Sequence, residues 1–318
     1  MKIWQLLDPK NLSYATGLIH MGKKITSQMT QRTCYFLSCL RPSTNPLILR
    51  TEMPIRIPLK ELFSAGKTAF GAWNTIPGIG IVRTISSTPG ISWVCVDAEH
   101  GQINDTHIYA HTTAISASGC SPIVRIPDAN AWWAKRALDA GAHGVMVPLL
   151  RDAASVRETV ASMKYPPHGI RGFGPMYTHH AFGPDCTSEE YKAGANDLYV
   201  LVQIETKESI QNLEEIAQVD GLDVLFIGPF DLALNLEVSF GGNEHEDAIQ
   251  RILKTAHKYG KKAAIYCTNG DQARIRAEQG FDMISIATDV DILANGYAAS
   301  ISRATNLDTN VSSGYSAT

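Results

Sequence analysis

A chain of 318 residues with 44% hydrophobic and 19% charged side chains has the make-up of an ordinary globular protein, large enough for one big α/β domain or two modest ones. The net charge of -3 gives no electrostatic footprint for nucleic acid or an anionic membrane surface, and no stretch reaches the ~18 apolar residues of a membrane span. The six cysteines are scattered, with no CxxC and no paired metal spacing, so a disulfide framework is excluded and a reducing, cytoplasmic compartment is expected.

Residues 1–52 differ from the rest. Up to residue 50 they carry Lys2, Lys10, Lys23, Lys24, Arg32, Arg41 and Arg50 against one acid, Asp8. Such a basic, hydroxyl-rich segment has the composition of an organelle transit peptide, although no Arg-rich amphipathic helix emerges. It is read as a poorly ordered extension, with mitochondrial import as the alternative location. A single folded domain is expected over 53–303. Its apolar, β-branched runs are "FGAWNT", "SWVCVDAE", "PIVRIP", "GVMVPLL", "YVLVQIE", "VLFIGPFD", "KAAIYC" and "MISIATD". Nearly continuous apolar runs are strands buried on both faces of a parallel sheet. Between them lie helical patterns at 130–142, 152–164, 209–218 and 246–260, several ending in Gly. Trp132 and Trp133 open the first of these and are read as packing residues. The polar tail, 304–318, is expected to be disordered.

Eight strands alternating with helices over this length match a single-domain (β/α)8 TIM barrel. An open doubly wound sheet would want a glycine-rich phosphate loop after its first strand, and "GIRGFG" follows a Pro-Pro loop instead.

In a barrel the C-terminal ends of the strands open onto one mouth. Those ends carry Asp97, Glu99 and His100 in "DAEH", then Arg125, then Gln203 and Glu205, then Asp231. Each alone has a plainer reading: Glu205 paired with a loop lysine, Asp231 capping a helix, His100 bonded structurally at a strand end. Gathered at one mouth, two carboxylates with a glutamine and an arginine suit a hard divalent cation, Mg²⁺ or Mn²⁺. Zinc would want His or Cys beside Glu205 and Asp231. Two protein ligands leave positions for a chelating substrate such as a 2-oxo acid. His100 is the natural base, its basicity set by Asp97 or another carboxylate. His179 and His180 in "YTHH" are read as loop residues.

At these residues the sequence resembles the HpcH/HpaI aldolase family, the metal-dependent class II pyruvate aldolases related to the citrate lyase β chain. The matching pieces are "VDAEHG", "VRIPD", "LDAGAHGVMVP", "YPPHGIRGFG", "LVQIET" and "FIGPFDL", in the family's order over roughly residues 60–303. The resemblance implies that Glu205 and Asp231 bind the metal, with Co²⁺ a further candidate, and that Gln203, Gly228, Pro229 and Phe230 contact substrate. It implies that Arg125 stabilises an enolate, that His100 is the general base with Asp97 beside it, and that Trp73 lies near the pocket. It places Asp139 at a neighbouring subunit's site, in a homo-oligomer built as a trimer of dimers. Phe230 departs from the small alanine of the hydroxy-oxo-heptanedioate aldolases, "DLALNLE" lacks a serine common there, and residues 1–52 have no counterpart.

The expected reaction is therefore cleavage of a 4-hydroxy-2-oxo acid to pyruvate and an aldehyde. Oxaloacetate decarboxylation and a CoA-thioester lyase are the enzymatic alternatives, and a non-catalytic barrel is the third. A Schiff-base aldolase would need a lysine in the mouth, and the strand ends offer none.

Overall fold

The eight apolar runs fold as eight parallel strands that close, in sequence order, into one barrel. This is a computed structural model, and it describes residues 55–306. The strands are β1 (Ala69–Asn74), β2 (Trp93–Asp97), β3 (Ser121–Arg125), β4 (Gly144–Val147), β5 (Tyr199–Gln203), β6 (Val224–Ile227), β7 (Lys262–Tyr266) and β8 (Met283–Thr288). Every residue of β2 through β6 is buried, which is why these runs lack the in–out alternation of a half-exposed sheet. The expected TIM barrel is thus the observed fold.

Helices follow the strands around the outside. Ala131–Asp139, Ala153–Met163 and Asn243–Lys258 occupy expected positions. The 209–218 pattern is instead two short helices, Lys207–Gln211 and Leu213–Ala217. The break falls at Asn212, whose side chain donates to the Arg151 carbonyl. Trp133 packs against the core, whereas Trp132 is half exposed with its ring edge-on to its neighbour's. At the closed end of the barrel, the Leu59 amide of helix Pro58–Ser64 donates to Ser121 Oγ, and Leu59 is fully buried.

Two local features shape β1. Trp93 is fully buried and crosses to β1, where its indole donates to the Ala69 carbonyl. Only glycine fits beside it, because a Cβ on Gly71 would collide with the indole ring. The β1–β8 register then slips between Gly71 and Trp73, a bulge that re-aims Trp73 at the mouth.

Cys95, Cys120, Cys186 and Cys267 are free thiols, and Cys95 and Cys267 are buried as expected of small apolar side chains. No helix among the described residues is long and apolar enough to cross a membrane. The transit-peptide reading of 1–52, Cys34 and Cys39 lie outside the described residues. The last helix, Asp289–Thr305, runs two residues past the expected domain end, and 307–318 of the tail lie outside the described residues.

Candidate active site

The strand ends surround a cavity of about 460 Å³. Its lining includes Trp73, Asp97, His100, Arg125, Gln203, Gly228, Pro229, Phe230 and Asp231. Strand register brings the first pair together, since Asp97 and Arg125 are direct neighbours on β2 and β3. The guanidinium grips Asp97 with two donors, Nε to Oδ1 at 3.0 Å and Nη2 to Oδ2 at 2.6 Å. The Trp73 indole donates to the same Oδ2 at 3.0 Å, and the Arg125 guanidinium lies 4.8 Å from the centre of its ring. Burial pushes the Asp97 carboxyl up, but Arg125 and Trp73 outweigh it and hold the group below the usual carboxylate range. Burial works against the Arg125 charge, yet Asp97 and Glu99 more than offset it, so the guanidinium stays charged.

A chain of polar contacts continues across the floor. Arg125 Nη1 lies 3.0 Å from Glu99 Oε2 and donates to Gln203 Oε1 at 3.5 Å. Gln203 in turn donates to Glu205 Oε2 at 2.6 Å, and the Leu149 amide donates to Glu205 Oε1 at 3.0 Å. Leu149 adopts a left-handed backbone, φ 56°, unusual for a branched residue and located where its N–H is aimed at the carboxylate. The carboxylate beside the His100 imidazole is Glu99, at 3.7 Å, while Asp97 is committed to Arg125. Asp97 still meets this segment through Oδ1, which accepts from the Glu99 and His100 amides.

Glu205 is almost completely buried, lies just behind the cavity lining and makes no ion pair with a lysine among the described residues. Burial raises its carboxyl to about 7, the Leu149 amide works the other way, and the nearby Asp231 charge adds to the rise. Gly228 packs so closely that a Cβ there would collide with Glu205 Oε2. Asp231 is in the first turn of helix Pro229–Leu236, whose cap position is Gly228, so it is not the helix cap. A buried carboxylate, with the exposed Asp231 near enough for its charge to act on it and an amide beside it, is a hard-oxygen donor set that fits a divalent cation. Among the described residues no group of three or more His, Cys, Asp or Glu is arranged to hold a metal, so a site here would be two-carboxylate and open.

A second network fixes the loop after β1. The Asp289 carboxylate accepts from the Thr75 and Ile76 amides, the Thr75 hydroxyl and Asn74 Nδ2. Asn74 Oδ1 meets His111 Nδ1 at 2.8 Å, and the Gly78 amide donates to His111 Nε2 at 3.0 Å. An acceptor at Nε2 requires a neutral imidazole, and burial accordingly lowers the His111 pKa to about 4.

Of the residues singled out in the sequence, Asp139 alone is not brought to this mouth. It ends helix Ala131–Asp139 and pairs with the buried Arg171 at 2.7 Å. Glu99 as the partner of both Arg125 and His100, Leu149, Asp289 and His111 were not identified from sequence. "DAEH" contained a signal for Glu99; nothing in the sequence marks Leu149.

Comparison with known proteins agrees with this geometry. The family model for HpcH/HpaI aldolase/citrate lyase matches residues 81–296. A hydroxypyruvate/pyruvate aldolase of Agrobacterium fabrum is 34% identical over 74% of this chain and 89% of its own length. A 4-hydroxy-2-oxo-heptane-1,7-dioate aldolase of Salmonella arizonae is 32% identical over 77% of this chain and 93% of its own. The crystal structure of an HpcH/HpaI aldolase from Desulfitobacterium hafniense superposes with a TM-score of 0.73 at 26% identity, covering 79% of this chain and 98% of that one.

Proposed function

Because the chain belongs to the HpcH/HpaI aldolase/citrate lyase family, a family of carbon–carbon lyases, we propose that it is a divalent-metal-dependent pyruvate aldolase. Its substrate would be a 4-hydroxy-2-oxo acid, split to an aldehyde and pyruvate, or hydroxypyruvate where the donor carries a further hydroxyl. The observation that carries this reading is the continuous polar chain from His100 through Glu99, Arg125 and Gln203 to Glu205. An imidazole, a guanidinium and a buried carboxylate linked in this way support the roles of base, fixed positive charge and metal ligand.

Glu205 and Asp231 would hold Mg²⁺, Mn²⁺ or Co²⁺, which when bound acts as a Lewis acid toward the 2-oxo acid. His100 stands at the rim with its imidazole more than half exposed, able to take the C4 hydroxyl proton and return it to solvent. Glu99 stabilises the imidazolium that results. As the C3–C4 bond breaks, the aldehyde leaves and negative charge develops on the C2 oxygen. Arg125 is already charged and is locked by Asp97, so it meets that charge without reorganising. A proton delivered to C3 completes pyruvate. No lysine among the described residues lines the cavity, which favours this route over a Schiff base.

The test is pyruvate release from 4-hydroxy-2-oxo acids, coupled to lactate dehydrogenase, with Mn²⁺ or EDTA present. Release that needs metal and disappears in Glu205→Ala supports the proposal. Carbon dioxide release from oxaloacetate, with no cleavage of any hydroxy-oxo acid, would replace it with a decarboxylase. We also propose that the enzyme works as a homo-oligomer, supported by the exposed apolar side chains of the last helix.

A further inference from the structure

Resting on the aldolase reading, the structure assigns the aldehyde half of the substrate to an uncharged, apolar or aromatic class. The cavity is chemically divided. Asp97, His100, Arg125 and Gln203, from β2, β3 and β5, make up its polar side. The rest of the lining is mostly apolar, with Phe226, Tyr266, Phe230, Leu234 and Val290, and Trp73 stands at the junction, where its indole meets Asp97. Trp73 meets the Phe226 and Tyr266 rings at 5.6 and 5.5 Å, giving a continuous aromatic base. Phe230 stacks on Phe240 at 4.7 Å and 8°, which orients its ring. One turn further along the same helix Leu234 is 75% exposed, and Val290 across the rim is 49% exposed. Large apolar groups left that open beside a cavity are a surface for an apolar ligand group.

The threonine hydroxyls on this side are already committed, and its carboxylates carry the wrong sign for an anion. The Thr75 hydroxyl donates to Asp289, and the Thr288 hydroxyl donates to Asp291. The charged groups here are the carboxylates Asp231 and Asp291. Arg125 is the only lysine or arginine lining the cavity among the described residues, and Asp97 holds it on the polar side. An aldehyde ending in a carboxylate would place its charge against aromatic rings and near Asp291, with no lysine or arginine on this wall among the described residues to receive it. An alkyl or phenyl group would displace water from the same wall and lose nothing.

The assay runs in the synthetic direction. Pyruvate loses a C3 proton, the C3–C4 bond forms to the aldehyde carbon, and the aldehyde oxygen takes up a proton. With pyruvate and Mn²⁺ fixed, kcat/KM is measured for benzaldehyde, butanal and succinic semialdehyde. The wild type is expected to favour the two uncharged aldehydes by about tenfold or more, the scale on which a pocket wall discriminates. In Leu234→Arg the ratio should move toward succinic semialdehyde by about tenfold. That ratio is taken within one preparation, so the amount of folded enzyme cancels. Exchange of pyruvate methyl protons into D₂O, followed by NMR without aldehyde, reports the enolate step separately. Exchange with equal or better use of succinic semialdehyde overturns this assignment and leaves the aldolase standing. No metal-dependent exchange overturns both.

Discussion

Arg125 does two things at once, and its surroundings explain why lysine would not replace it. The planar guanidinium spans Asp97 with two parallel donors and still presents Nη1 to Glu99 and Gln203. An ammonium could satisfy one of these carboxylates. Arg125→Lys should therefore lower kcat by roughly 10²–10³-fold, as for loss of a preorganised charge, with the fold kept by circular dichroism. Asp97→Asn has a different signature, because it removes the counter-charge from a buried cation. A loss of about 3–5 kcal/mol in urea unfolding is expected, larger than for any exposed ion pair. Glu205 makes the pH prediction. Burial disfavours its ionised form and sets its pKa to about 7, so below that value a cation must displace a proton to bind. Apparent Mn²⁺ affinity should fall about tenfold for each pH unit below about 7 and level off above it, measured by calorimetry. An affinity independent of pH in that range would show that cation binding displaces no proton from Glu205. These residues were legible in sequence because barrel topology turns eight separated strand ends into one ring. Their pairings were not, because which carboxylate meets Arg125 depends on strand register, and Glu99 sits beyond the end of its strand.

At the level of elements, strands and loops were unequally readable. A buried parallel strand is announced by its own composition, and all eight fall where the apolar runs do. The β1 loop is organised by Asp289 and His111, which lie more than 30 residues away and act through backbone amides, so no local pattern reveals it. The same network gives the fold an acid limit. His111 has a folded pKa of about 4, below the ordinary histidine value of 6.5, and the buried His143 is lowered to about 3. Between those values and 6.5 the unfolded chain takes up protons that the native state refuses, so stability rises with pH there. Going down from pH 6.5, each histidine should cost up to about 1.4 kcal/mol per pH unit. Urea unfolding across this window should show the slope, and His111→Gln should flatten it while lowering the plateau. A slope unchanged in that variant would mean that His111 is already protonated in the native state.

For the whole molecule, the barrel explains itself down to the last helix, which does not. Asp289–Thr305 buries Asp289 and Asp291 in its first turn and no other residue. Leu293, Tyr297 and Ile301 recur at helical spacing and are 40%, 76% and 51% exposed, with Ile292 beside them. A helix of 17 residues with its apolar stripe in water is marginal on its own, because helices in proteins draw their stability from packing such a face. A second copy of the chain is the cover we propose, in line with the oligomer expected from sequence. Asp139 makes the same point from another side, being the one chosen residue that does not reach its own chain's mouth. If subunits meet through the last helix, Tyr297→Glu combined with Leu293→Lys should break the assembly. In sedimentation velocity the wild type should then run well above the 34.6 kDa of one chain, and the double variant should move toward that mass. Activity should fall with dissociation if Asp139 completes a neighbour's site, whereas an active monomer would assign Asp139 only its ion pair with Arg171. A wild type that sediments at the mass of one chain would refute the assembly itself. The stripe would then require a cover from within the chain, and the barrel mouth would have to work with the residues of one subunit.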